Sequence, residues 1–149
     1  EQMHITLQFF AALSSNHVEQ VKNIITDISS FFEVFETTLT EIGAFSSWNR
    51  VRVLWLGFDQ NSGEKMKKAA FLFSEKGREQ GIPIDQSHSF SPHLTLARFK
   101  NPIPVIPRQL FQPSCYTTFI RQITFYQSTL TPRGPIYTPL IIMPLKEVK

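Results

Sequence analysis

The spacing of apolar positions changes several times along the chain, and each change marks an element. Residues 3–10, MHITLQFF, are rich in β-forming side chains and are followed by turn formers at 14–16, so they predict a strand. The spacing becomes helical in NHVEQVKNIITDISSFF. There Val18, Val21, Ile25, Ile28 and Phe32 share a face, and Asn16 with Glu19 makes a capping-box-like start. FETTLTEIGAF (35–45) and RVRVLWLGF (50–58) are strand-like, and the short polar loop between them predicts an antiparallel pair. A second helix is predicted over 62–79, with Met66, Ala69, Ala70 and Phe73 inward and Lys65, Lys67 and Lys68 on a solvated face. Gly81 and Pro83 end it.

After a loop, residues 92–99 predict another strand. The proline-rich NPIPVIPRQLF leaves room for a short helix after Pro107. TTFIRQITFYQSTL and IYTPLIIMPL predict two final strands joined by the turn TPRGP. This order predicts an α+β fold with mostly antiparallel sheets. It lacks both the glycine-rich phosphate loop and the long βαβ series of a doubly wound nucleotide-binding fold.

Composition narrows the class. At 149 residues the chain fits one domain with a real core, and 42% hydrophobic content with fourteen Phe excludes global disorder. Fifteen Lys and Arg against twelve Asp and Glu admit an anionic ligand, without the dense basic stripe of a duplex binder. Cys115 is the one cysteine, so no internal disulfide forms and a reducing, cytoplasmic setting is expected. No apolar run reaches the ~18 residues a membrane span needs, and no signal peptide is expected from the opening residues.

Two stretches then stand out. HITLQFF and SPHLTLARF both write His-x-Thr-Leu-x-x-Phe, first as His4, Thr6, Leu7 and Phe10, then as His93, Thr95, Leu96 and Phe99. With Thr and Leu each near one residue in twelve, a given His is followed by x-Thr-Leu less than ~1% of the time. The chain has only four His, so two hits call for folding symmetry or chemistry. Their places in the two halves favour a pseudo-duplicated, two-lobed architecture.

On a strand, residues two apart point the same way, with Cα atoms ~7 Å apart. If the lobes face each other, two imidazoles and two hydroxyls converge on a central cleft. Such a set suits a phosphoryl centre: one neutral imidazole takes a proton from the attacking oxygen and one protonated imidazole gives a proton to the leaving oxygen. The hydroxyls donate to the non-bridging oxygens. A metal site would need further Cys, Asp or Glu ligands close by, and neither pair has them, so no metal is expected.

The two motifs in a small α+β chain resemble those of the two-histidine (2H) phosphoesterases, above all the branch called RNA 2′,3′-cyclic phosphodiesterases or 2′-5′ RNA ligases. EQMHITLQF is similar to that branch's first motif with its lead-in, RVRVLWLGF to its central strand and FSPHLTLARF to its second motif. FYQSTLTPRGPIYTPL is similar to its C-terminal hairpin. The resemblance implies a bilobal, pseudo-twofold fold of mostly antiparallel sheets with outer helices and a central cleft. It implies His4 as proton donor to the leaving 3′ oxygen, His93 as the base that activates water, and Thr6 and Thr95 as phosphate ligands. No metal or nucleotide cofactor is implied. The expected partners are RNA 3′ ends or small cyclic nucleotides, the expected state a monomer. The family normally carries some forty residues, a strand and a helix, ahead of the first motif. Here three residues precede His4, so residues 1–149 are expected as a single domain with one lobe short of a strand and open at an edge. Other readings of the same residues are 2′-5′ ligation, a non-catalytic RNA-end binding domain and a small metal-binding protein.

Arg98, five after His93, falls on the opposite strand face by strict alternation and reaches a phosphate only if the strand ends or bulges. The resemblance favours that phosphate role over a salt bridge at a strand end. Phe9 holds the equivalent place in the first motif and is expected in the core. Trp55, Tyr126 and Tyr137 could stack a base or ribose, with sheet packing the commoner use. His17 is expected on the surface of the first helical turn, and His88 in a loop as a bystander.

Overall fold

The computed structural model describes residues 3–84, 89–103, 116–132 and 134–147. The helix expected after Pro107, and with it Cys115 and His88, lies outside them. Helix α1 runs Ser15–Ser29 and is capped by Ser14, whose extended backbone lets its side chain accept from the His17 amide. The cap is therefore Ser14 and not Asn16. Starting there turns Val21, Ile24, Ile25 and Ile28 onto one buried stripe, and His17 falls in the first turn.

Strand β1 spans Phe35–Phe45 and β2 spans Val51–Phe58, paired antiparallel as their patterns predict. Burial along β1 changes parity: Phe35, Thr37 and Leu39 face inward, then Ile42. The register slips between Leu39 and Glu41, so Thr40 is the extra residue of a bulge that keeps both apolar sets on the core side.

Helix α2, Gln60–Glu79, buries Met66, Ala69, Ala70 and Phe73. Of its outward lysines, Lys65 leans over the Phe35 ring with its ammonium 4.8 Å from the centroid. Asp59 caps the helix through the Ser62 amide at 2.9 Å. It also accepts from the Thr38 amide at 2.9 Å and the Thr37 hydroxyl at 3.2 Å, so one carboxylate ties α2 to β1. Burial pushes that carboxyl up, but the Thr38 and Ser62 amides and the Ser62 and Thr37 hydroxyls outweigh it and hold it at about 2.

Strands β3 (Leu94–Ile103), β4 (Tyr116–Ile120), β5 (Gln122–Thr131) and β6 (Gly134–Pro144) complete the chain. One sheet has the order β3-β2-β1-β4, all antiparallel, and β5 with β6 forms a separate hairpin. TTFIRQITFYQSTL is thus two strands, broken at Arg121, rather than the one its continuous β pattern predicts. β4 pairs with β1 and β5 with β6, and the Arg121 carbonyl at the crossing accepts from the Leu145 amide.

Residues 3–10 are also not a strand. They lie in no ladder among the described residues and are held by side chains instead. Phe10 wedges between Phe73 (5.9 Å) and Phe125 (6.1 Å), and Ile5 packs on Val34, Phe35, Met66 and Leu145. High β propensity makes a strand only where another strand offers hydrogen bonds. A bend at Leu7 shifts the inward parity, so Phe10 is packed while Phe9, expected in the core, is 69% exposed.

The largest apolar cluster packs α1 and α2 against Ile123, Phe125, Ile141 and Met143 of the hairpin. Its fully buried side chains, Val21, Ile24 and Ile28 among them, each contribute about 1.5–3 kcal/mol. A second cluster, Val34, Phe35, Met66 and Leu145, joins the two sheets. A third covers one face of the large sheet with Ile42, Val51, Leu54, Ala97 and Phe99. Among the described residues no helix is long and apolar enough to cross a membrane.

Candidate active site

The second motif lies where the chain enters β3. Thr95 is the cross-strand partner of Trp55, Ala97 of Leu54 and Arg98 of Val53. Leu96 is therefore the extra residue of a bulge. Cross-strand partners share a face, and Val53 and Trp55 lie two apart on β2, so Thr95 and Arg98 point to the same side. Strict alternation separates Arg98 from its motif; the bulge reunites them. On the other face Ala97 and Phe99 reach the cluster with Ile42, Val51 and Leu54, which is the apolar demand that the bulge satisfies.

His93 immediately precedes β3. Its Nδ1 is 2.8 Å from the Ser91 carbonyl oxygen. A carbonyl only accepts, so Nδ1 carries a proton, and whenever the ring is neutral Nε2 is its acceptor. The ring stands edge-on to Phe45 (4.8 Å, 89°) and 6.3 Å from Trp55. Trp55 lies flat over Gly43, where any Cβ would overlap the indole. Its Nε1 is buried and has no hydrogen-bond partner among the described residues.

The first motif lies beside the hairpin. Because Ile5 packs inward, the flanking His4 and Thr6 face outward, and both are exposed. The His4 ring meets Tyr137 of β6 at 5.3 Å and 67°, and Tyr126 backs Tyr137 at 5.9 Å. Each imidazole is thus flanked by an aromatic pair from a neighbouring hairpin. The two motifs also share an anchor, since Ile5 and Phe90 pack on the same Val34–Phe35–Met66–Leu145 cluster. Phe45 is the contact that sequence reasoning missed. Its signal is the alternation Gly43-x-Phe45, which places a bulky ring beside a gap on one strand face.

A family model described as LigT like phosphoesterase matches residues 1–55. An Aeropyrum pernix protein named RNA 2′,3′-cyclic phosphodiesterase is 30% identical over 145 residues, which span 94% of this chain and 80% of the relative. The chain belongs to the 2H phosphoesterase family. Its function is accordingly that of a 2H phosphoesterase. Solved structures agree on the fold. A Thermus thermophilus protein superposes with a TM-score of 0.81 at 24% identity, covering 97% of this chain and 79% of that one. Escherichia coli LigT complexed with 3′-AMP gives 0.75 at 24% identity, covering 96% and 76%. The α+β arrangement of antiparallel sheets with two helices is therefore the 2H phosphoesterase fold.

Proposed function

We propose that this 2H phosphoesterase, a single two-lobed domain acting as a cytoplasmic monomer, hydrolyses 2′,3′-cyclic phosphate ends of RNA to 2′-phosphates. The observation that carries the reading is the tautomer of His93. With Nδ1 held by the Ser91 carbonyl, Nε2 is the nitrogen available to take a proton from water. The water oxygen bonds to phosphorus, the phosphorus–3′-oxygen bond breaks, and His4 gives its proton to the departing 3′ oxygen. A 3′ hydroxyl and a 2′-phosphate result. Thr6 and Thr95 donate hydrogen bonds to the non-bridging oxygens, where charge builds in the transition state. Arg98, brought to the Thr95 face by the Leu96 bulge, adds a positive charge. Acid and base are both imidazoles, so no metal or nucleotide cofactor has a step to perform. The name of the Aeropyrum pernix relative supports the substrate class, and the 3′-AMP complex of LigT supports a nucleotide ligand.

The test is to incubate the protein with RNA ending in a 2′,3′-cyclic phosphate, in EDTA, and identify the product. A terminal 2′-phosphate is expected. A 3′-phosphate would reverse the assignment of the leaving oxygen, and activity lost to EDTA and restored by a divalent ion would overturn the mechanism. Binding without turnover would leave an RNA-end binding domain.

A further inference from the structure

The cations of the chain divide into two kinds. On the helices, Lys22, Lys67, Lys76 and Arg78 each hold a carboxylate. Among the described residues, Arg50, Arg52, Arg98 and Lys100 are in no ion pair, and all four are exposed. These four share one end of the large sheet. Residues 42–58 and 89–103, which build that end, contain no Asp or Glu. The register gathers them. Val53 pairs with Arg98 and Val51 with Ile103, so β2 supplies only Arg52 where β3 supplies residues 99–102. The longer β3 segment bends outward there and sets Lys100 opposite Arg52. Phe99 packs on the core, so its neighbours Arg98 and Lys100 share the other face. The row starts at the imidazole. His93 touches Phe45, Phe45 pairs with Val53, and Val53 pairs with Arg98.

We propose that the RNA strand leaves the cleft over this end of the sheet, with Arg50, Arg52 and Lys100 holding phosphates upstream of the cyclic end. This rests on the phosphodiesterase reading above and adds a path to it. Arg98 serves the terminal phosphate in that reading, so a mononucleotide leaves the other three cations unused. Like charges gathered without a counter-charge repel one another, and a polyanion laid across them relieves that repulsion. Lys and Arg on phosphate read charge and carry no sequence information. The row therefore selects for chain length and leaves base identity unread. The lysines of α2 are engaged otherwise, Lys67 with Glu64 and Lys65 over the Phe35 ring.

Adenosine 2′,3′-cyclic phosphate is compared with an eight-nucleotide oligoadenylate ending in the same cyclic phosphate. Three exposed charge contacts predict kcat/KM about 3–150-fold higher for the oligonucleotide at low salt. That advantage should shrink about 2–3-fold per contacted phosphate between 50 and 200 mM salt. Replacing Arg50, Arg52 and Lys100 together by Gln should pull the ratio towards one and flatten its salt dependence. Removing the same charge from α2, as Lys65→Gln, Lys67→Gln and Lys68→Gln together, should leave the ratio as it was. Because the ratio compares two substrates in one variant, a general disturbance of the site cancels. Should the first triple variant fail to fold, Lys100→Gln alone must still lower the ratio. A wild-type ratio near one, a ratio unmoved by the sheet-end variants, or an equal fall in the α2 variant would each overturn the proposal. If the wild type hydrolyses neither substrate, the phosphodiesterase reading fails separately. Binding of an eight-nucleotide oligoadenylate with a terminal 2′-phosphate, against adenosine 2′-phosphate, then reads the path. The path falls if length brings no gain, or if the sheet-end variants keep that gain.

Discussion

His93 and Ser91 are joined by a 2.8 Å bond from Nδ1 to the carbonyl oxygen, across a proline that fixes the intervening backbone. The bond selects one tautomer and one ring orientation before any substrate arrives. In the proposed mechanism it makes the second motif the preset half of the acid–base pair.

His4→Ala and His93→Ala should each lower turnover by about 10²–10⁴, and the double variant should be little worse than the weaker single one. Turnover in the wild type should fall on both sides of a pH optimum, because one imidazole must be neutral while the other is charged. A substrate whose leaving group needs no proton should rescue His4→Ala far more than His93→Ala. Rescue of the His93 variant instead would exchange the two roles.

Thr6→Val and Thr95→Val keep the β-branched shape while deleting the donor. Both should lose about 10- to 1000-fold in kcat with urea midpoints nearly unchanged. Wild-type kinetics in both well-folded variants would remove the hydroxyls from the phosphate site.

Asp59 sets part of the acid limit of stability. Its carboxyl sits at about 2 in the folded chain against an ordinary 3.8, so the unfolded chain binds more protons between those values. Its contribution is complete above about pH 4 and is lost as pH falls towards 2. Asp59→Ala should cost about 0.5–2 kcal/mol at pH 7, and the deficit should shrink through that window. Urea unfolding at pH 7 and pH 3 checks both statements.

Gly43→Ala should destabilise by about 1–3 kcal/mol, since the new methyl overlaps the indole of Trp55. Adding Trp55→Phe should recover part of the loss. Equal costs with and without that second change would show that the strain lies elsewhere.

The helices were legible because a 3.6-residue period exposes which face is buried, as Met66, Ala69, Ala70 and Phe73 illustrate. The motif residues were legible because His-x-Thr recurs, and the β1–β2 pairing because two strand-like runs flank a short loop. The bulges were legible only in hindsight. Apolar parity passes from Phe35 and Leu39 to Ile42 in β1, and from Leu94 to Ala97 and Phe99 in β3, so the slip at Leu96 is written in the pattern. The break at Arg121 is not, because TTFI and QITF are equally β-like and only their partners separate them. Residues 3–10 failed for the same reason: propensity is local, a ladder is not.

Ile5 and Phe90 rest on one cluster, and with this shared footing the two motifs should open as one unit. Neither segment has to unfold for its neighbour to feel the loss of their support. Met66, 4% exposed, is not itself a proposed site residue, yet a cavity there would loosen the lead-ins to His4 and His93 together. Amide exchange in the two segments would then speed up in step, and an enzyme weakened at this distance would lose its proposed acid and proposed base as one event.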